Sequence, residues 1–155
     1  TAQVDLAAMA RGVCADYAQA AWQRGDELEV SAPASLWVQG HAVLLDLVLR
    51  NLIENALKHT PPGTRIAVQM AEDRAEDSTP QAAWLQVCDD GARQRAGSAA
   101  DRTAAVPVDS LHLGHEILRR VADIHGGEFG SAPAAPPFTT CFRLDLPPSV
   151  VTPPG

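Results

Sequence analysis

Apolar positions recur along the chain with two different periods, and the alternation of those periods sketches an architecture. From Val4 to Arg24, the residues Leu6, Met9, Val13, Tyr17 and the pair Ala20 and Ala21 return near helical spacing, and Asp5 is placed to cap the first turn. Gly25 and Asp26 end that helix. Glu27 to Ser31 then sets Leu28 and Val30 against Glu27 and Glu29, the period of a strand. Pro33 breaks the run, and Leu36 to Val38 predicts another short strand ending at Gly40. The strongest helical signal runs from His41 to His59, where Leu45, Val48, Leu49, Leu52 and Ala56 form one apolar stripe. Pro61-Pro62-Gly63 forces a turn.

Thr64 to Met70 is again a strand, with Ile66, Val68 and Met70 on one face. Glu72 to Gln81 is charged and polar, contains Pro80, and reads as an exposed connection to the strand Ala83 to Asp89. In that strand Leu85, Val87 and Asp89 share a face, and Trp84, Gln86 and Cys88 share the other. Asp90 to Ser110 has no sustained period, which in a compact domain points to a functional lid or a disordered loop. Leu113 to His125 predicts a helix stopped by Gly126 and Gly127, followed by the strands Glu128 to Ser131 and Thr139 to Leu146. The order predicts an α/β fold: a two-layer sandwich whose mixed sheet of about five strands is covered on one face by three helices. One domain is expected over residues 1–147, its lid at about 90–112, with 148–155 as a tail.

A chain of 155 residues suits one core. Its net charge of -7 argues against nucleic acid or an anionic membrane surface as partner. The three cysteines, Cys14, Cys88 and Cys141, are odd in number and far apart, so neither a disulfide nor a zinc site is expected and a reducing cytoplasm fits; Cys88 and Cys141, in apolar strand-like segments, are expected to be buried inert thiols. Trp22, Trp37 and Trp84 are expected to be packing residues. No apolar run is long enough to span a bilayer, and no signal peptide opens the chain. The first residue is not Met, which points to a piece of a longer protein.

The candidate chemistry sits on the central helix. Asn51 and Asn55 are one turn apart, with Lys58 and His59 just beyond, and Asn51, Asn55 and Lys58 form a polar row off the apolar stripe. An Asn carbonyl can ligate Mg²⁺, a hard cation that prefers oxygen, and a nearby Lys can neutralise phosphate. The plain alternative is a solvated polar face. Asn is, however, a poor residue inside a helix, because it competes for backbone hydrogen bonds.

The segment Asn51-Leu52-Ile53-Glu54-Asn55-Ala56-Leu57-Lys58-His59-Thr60-Pro61 resembles the N box of the histidine-kinase ATPases, which share the Bergerat ATP-binding fold with gyrase B, Hsp90 and MutL. The family pattern is matched at every position. By this resemblance the chain is the catalytic, ATP-binding domain of a bacterial two-component sensor histidine kinase. Asn55 would ligate Mg²⁺, Lys58 would reach the phosphates of ATP, and His59 would line the pocket. Asn51 stands where gyrase-like ATPases carry a general-base Glu, which favours kinase over hydrolase. Cys88-Asp89-Asp90-Gly91 resembles the G1 box, with Asp89 accepting from the adenine amino group and Gly91 allowing the exit turn. Leu113-Gly114-His115-Glu116-Ile117 resembles the G2 box, with Gly114 at a helix start whose backbone donors face phosphate. Thr140, on the last strand, would approach adenine.

The lid departs from the family. Arg93 replaces the second G1 glycine, no Phe lies between Asp89 and Phe129, Ser110 and His112 replace the first G2 glycines, and His115 replaces a Leu. Forcing a side chain into a glycine conformation costs about 1–2 kcal/mol. Arg93, Arg95 and Arg102 offer cations that can meet phosphate instead, or else decorate a solvated loop. Two readings follow: an active kinase domain, or a pseudokinase-like module with weak or no ATP binding. A free-standing anti-sigma-factor-type kinase is a third, opposed by the Val-Asp-Leu opening. His112 and His115 lack the surrounding ligands of a metal site. The resemblance further implies partners, namely a dimerisation and phospho-acceptor domain and a response regulator. It implies a homodimeric parent in the bacterial inner membrane, with the isolated piece monomeric and unable to phosphorylate itself.

Overall fold

A computed structural model describes residues 1–74, 80–91 and 108–151. The lid Arg residues therefore lie outside the described residues. Strand β1 (Ala2–Asp5) leads into helix α1 (Leu6–Arg24), then β2 (Glu27–Ser31), β3 (Trp37–Gly40) and helix α2 (Ala42–His59). Strands β4 (Arg65–Arg74) and β5 (Pro80–Asp89) follow, then helix α3 (Val108–Ile124), β6 (Glu128–Ala132), β7 (Thr140–Leu146) and a 3-10 turn at Pro148–Val150.

Five strands form one mixed sheet in the order β2-β4-β5-β7-β6, with β2 and β4 parallel and the other pairs antiparallel. The expected five-stranded sheet is present. The strand period then decides which side chains go inside. Ile66, Val68 and Met70 on β4, Leu85 and Val87 on β5, and Leu144 and Leu146 on β7 are all buried. They meet Leu6, Ala10 and Val13 of α1, Leu45, Leu49, Leu52 and Ile53 of α2, and Leu118, Val121 and Ala122 of α3 in one core. Burying each such Leu or Ile contributes about 1.5–3 kcal/mol, so the helix layer is held by its apolar stripe more than by local propensity.

Four details differ from the sequence reading. Val4, read as the start of the helix, lies instead in a strand over residues 2–5, which pairs with β3 in a separate two-stranded ribbon, Val4 opposite Val38. Asp5 still caps α1, accepting from Ala7 N at 3.1 Å and Ala8 N at 3.3 Å, and it also accepts from Leu36 N at 3.0 Å. After Pro147 the chain turns back, and buried Val151 bridges Val38, so this stretch packs on the domain. Trp22 is 81% exposed rather than packed, and Trp84 lies under the Arg143 guanidinium, 4.3 Å from the ring centre.

The fourth difference concerns the cysteines. Cys88 and Cys141 stand directly opposite each other on β5 and β7, with Cα atoms 4.1 Å apart, and they are joined in a disulfide. The wide sequence separation concealed the pairing, since strand register brings together residues that spacing alone cannot. Among the described cysteines Cys14 alone keeps a free thiol, and it is buried.

Candidate functional site

Asp89 is the last residue of β5 and only 1% exposed. It shares a face with Leu85 and Val87, and so points toward the helix layer. Its Oδ1 accepts from Gly91 N at 3.2 Å, and its main-chain carbonyl accepts from Thr139 N at 2.8 Å. Thr140 is its partner across the ladder. The neighbouring carboxylate has a different task. Asp90 Oδ1 accepts from Arg65 N at 2.7 Å and Asp90 N donates to Arg65 O at 3.1 Å, which ties the end of β5 to the start of β4.

The end of α2 meets this sheet end. Thr60 follows the helix, is buried, and donates from Oγ1 to Ala56 O at 2.5 Å. Gly91 lies against it: a Cβ on Gly91 would stand 2.6 Å from Thr60 Cβ and 2.8 Å from Thr64 Oγ1. Glycine is needed here for close approach, where the sequence reading invoked only a tight exit. The turn after Thr60 is anchored by buried Asp26, whose Oδ1 accepts from Gly63 N and Thr64 N, both at 2.8 Å. Arg24 bridges the two sides, pairing with Asp26 at 3.0 Å and donating to Thr60 O at 2.6 Å. The sequence reading missed this brace, although Arg24, Asp26 and Gly63 flank the helix ends where such brackets form.

Asn51, Asn55 and His59 are half-buried on α2, and Lys58 is exposed. They lie off the buried stripe of Leu45, Val48, Leu49, Leu52, Ile53 and Ala56, as the spacing predicts. On another side of the helix, Glu54 accepts a hydrogen bond from Tyr17 of α1, and burial, followed by that carboxylate, pushes the phenol up to about 12. Arg50 donates to Asp46 at 2.6 Å and to Asp16 at 2.8 Å. Together these fix the rotation of α2 against α1, and thereby which face the Asn-Lys row presents.

At its amino end α2 is fixed by a histidine. His125 is buried; its Nδ1 donates to Val121 O at 2.8 Å and its Nε2 accepts from His41 N at 3.0 Å. The ring is thus a neutral tautomer joining the end of α3 to the start of α2. In the sequence His125 marks only the end of the helix before Gly126 and Gly127, and the geometry gives it a structural role.

Helix α3 begins at Val108, earlier than expected, so Gly114 lies inside the helix, beyond the first turn whose donors are free. His115 is absorbed by packing: its ring meets Phe142 at 4.6 Å and Phe129 at 5.5 Å, both edge-on. An open groove of about 400 Å³ lies elsewhere, where the loop after β2 meets the far part of β4, lined by Ser31, Pro33, Met70 and Glu72 among others. Among the described residues no group of three or more His, Cys, Asp or Glu could hold a metal by itself. None of the described helices is long and apolar enough to cross a membrane.

Comparison with known proteins gives a consistent result. The model of the histidine kinase-, DNA gyrase B- and HSP90-like ATPases matches residues 40–150. The chain is 34% identical to the sensor protein BasS of Escherichia coli over 101 residues, which is 62% of this chain and 26% of that protein. It is 28% identical to the adaptive-response sensory kinase SasA of Synechococcus over 159 residues, 94% of this chain and 39% of that protein. It therefore spans well under half the length of the curated relatives it matches. Among solved structures, the catalytic domain of the histidine kinase ThkA superposes with a TM-score of 0.73 at 18% identity, covering 95% of this chain and 96% of that one. The mycobacterial sensor histidine kinase MprB gives 0.68 at 24% identity, covering 94% and 97%. A fold shared with histidine kinase catalytic domains, a family model covering most of the chain, and an uninterrupted Asn51-to-Pro61 motif agree: this chain belongs to the histidine kinase-, DNA gyrase B- and HSP90-like ATPase family.

Proposed function

We propose that this chain is the nucleotide-binding unit of a sensor histidine kinase, which binds Mg-ATP and presents its γ-phosphoryl group to a His on a separate dimerisation and phospho-acceptor domain. The phosphoryl group would then pass to a response regulator. The observation that carries the reading is buried Asp89 at the end of β5, paired with Thr140 across the ladder and beside the Gly91–Thr60 contact where α2 ends.

Each residue has a physical role in that reading. Asp89 accepts from the adenine amino group; guanine offers a carbonyl there, so a buried carboxylate rejects it. Thr140 borders the base, His59 lines the pocket, and Gly91 keeps the strand end close to α2. Lys58, on an exposed flexible stem, supplies charge to the phosphates. Asn51 places no carboxylate to activate water, so transfer is favoured over hydrolysis. Gly114 belongs to the helix that closes the phosphate end. Asn55 suits Mg²⁺, because an amide oxygen is a hard ligand and Mg²⁺ takes few protein ligands beside phosphate and water. The ion would neutralise phosphate charge. The protein's own contribution is positioning and a fixed electrostatic frame.

Calorimetry with a non-hydrolysable ATP analogue and Mg²⁺ tests the reading. Heat is expected for the wild type, with a loss of at least about tenfold in affinity in Asp89→Asn or Asn55→Asp, and none for the GTP analogue. No heat at millimolar nucleotide, or unchanged binding by Asp89→Asn, would overturn it.

A further inference from the structure

The row of residues just behind the proposed base site is cross-linked. Asp89 opposes Thr140, and the next pair inward is Cys88 with Cys141, joined by the disulfide. The sulfurs lie on the sheet face away from the helices, with Trp84, Gln86 and Arg143, so the bond does not line the base site. It acts through the backbone. It fixes the separation of β5 and β7 one residue from the two side chains proposed to hold adenine.

Its position also gives it a route of access. Cys88 and Cys141 are 1% and 2% exposed. Yet the pair is one rung from the end of the β5–β7 ladder, and Ala132 opposite Cys141 is the last rung of the β6–β7 ladder. Only the Asp89–Thr140 rung and the Thr139 N bond to the Asp89 carbonyl lie between the pair and that end, so opening there exposes the sulfurs. Ala67, which flanks Cys88 across the β4–β5 ladder, is 1% exposed, so access comes by opening of this sheet end and not from the surface of the face.

We infer that Cys88 and Cys141 form a reversible thiol–disulfide exchange site that tunes nucleotide affinity, with the disulfide form binding more tightly; this rests on the nucleotide reading above. A dithiol reductant supplies the co-reactant. Its thiolate attacks one sulfur of the pair, the other leaves as thiolate and takes a proton, and the reductant's second thiol displaces the first from the mixed disulfide. Two electrons and two protons reach the protein, and the reductant becomes a disulfide. With the cross-link open, β5 and β7 gain freedom at the site, and ordering them on binding lowers affinity. Cys14 takes no part: it is buried on α1, away from this pair.

The test compares one preparation before and after dithiothreitol, and again after removal of the reductant and reoxidation. Thiols are counted after denaturation, and ATP-analogue affinity is measured by calorimetry. One free thiol is expected in the untreated chain and three after reduction, with nucleotide binding about threefold to tenfold weaker when reduced and restored on reoxidation. The double variant Cys88→Ser/Cys141→Ser is expected to bind like the reduced chain and to ignore dithiothreitol. Three free thiols in the untreated chain, or equal affinity in the two forms with the thiol count changing as expected, would overturn the exchange site and leave the nucleotide reading standing. Absence of nucleotide binding in both forms would overturn the nucleotide reading, and this inference with it.

Discussion

Gly91 packs so closely on Thr60 that a methyl group on its α-carbon would stand 2.6 Å from the threonine Cβ. The contact joins the exit of β5 to the end of α2. Gly91→Ala must therefore move one of them, and such overpacking costs about 1–3 kcal/mol. A lower denaturation midpoint with unchanged m-value is expected, together with weaker nucleotide binding.

Asp5 serves the α1 cap and the Leu36 amide together. Asp5→Ala is expected to lower stability by about 1–2 kcal/mol, and Asp5→Asn by much less, since Asn also caps well. Urea denaturation of the two variants separates them.

His125 joins α3 to α2 through one donated and one accepted hydrogen bond. His125→Ala leaves the His41 amide without its acceptor and opens a gap beside Gly40. A loss of about 2–3 kcal/mol is expected, with faster hydrogen exchange at the first turn of α2.

Burial pushes the Cys14 thiol up from 9.0 to about 11. The folded state therefore holds the proton more tightly than the unfolded state. That contribution to stability is complete below about pH 9 and is lost as pH rises through about 11. Between those values stability should fall more steeply in the wild type than in Cys14→Ala. Near pH 8, alkylation of Cys14 should be slow until the chain unfolds.

Much of this was legible in the sequence. The stripe through Leu45, Val48, Leu49, Leu52 and Ala56 gave α2 its range and left the Asn51, Asn55 and Lys58 row off the core. Strand alternation correctly put Asp89 with Leu85 and Val87, and Trp84 with Cys88. What escaped was non-local. The β1–β3 ribbon is four residues long on each side, too short to show a period, so Val4 was assigned to the helix. Trp22, expected to be a packing residue, falls at a position α1 leaves to solvent. The disulfide was hidden by sequence distance: it follows only from the antiparallel register that sets Asp89 opposite Thr140 and therefore residue 88 opposite 141. His115 departed from the family pattern, but the edges of two Phe rings offered it a place that motif comparison does not reveal.

The small ribbon has a mechanical meaning. Because β1 hydrogen-bonds only to β3 and Val151 clips onto Val38, neither end of the described chain is woven into the five-stranded sheet. A tug on residue 2 travels along β3 to Gly40 and the His41–His125 junction, and arrives at the head of the helix bearing the Asn-Lys row. The strand that ends in Asp89 feels it second, through the Gly91–Thr60 contact at the far end of that helix. Strain entering by that route would tilt one wall of the site before it reaches the floor.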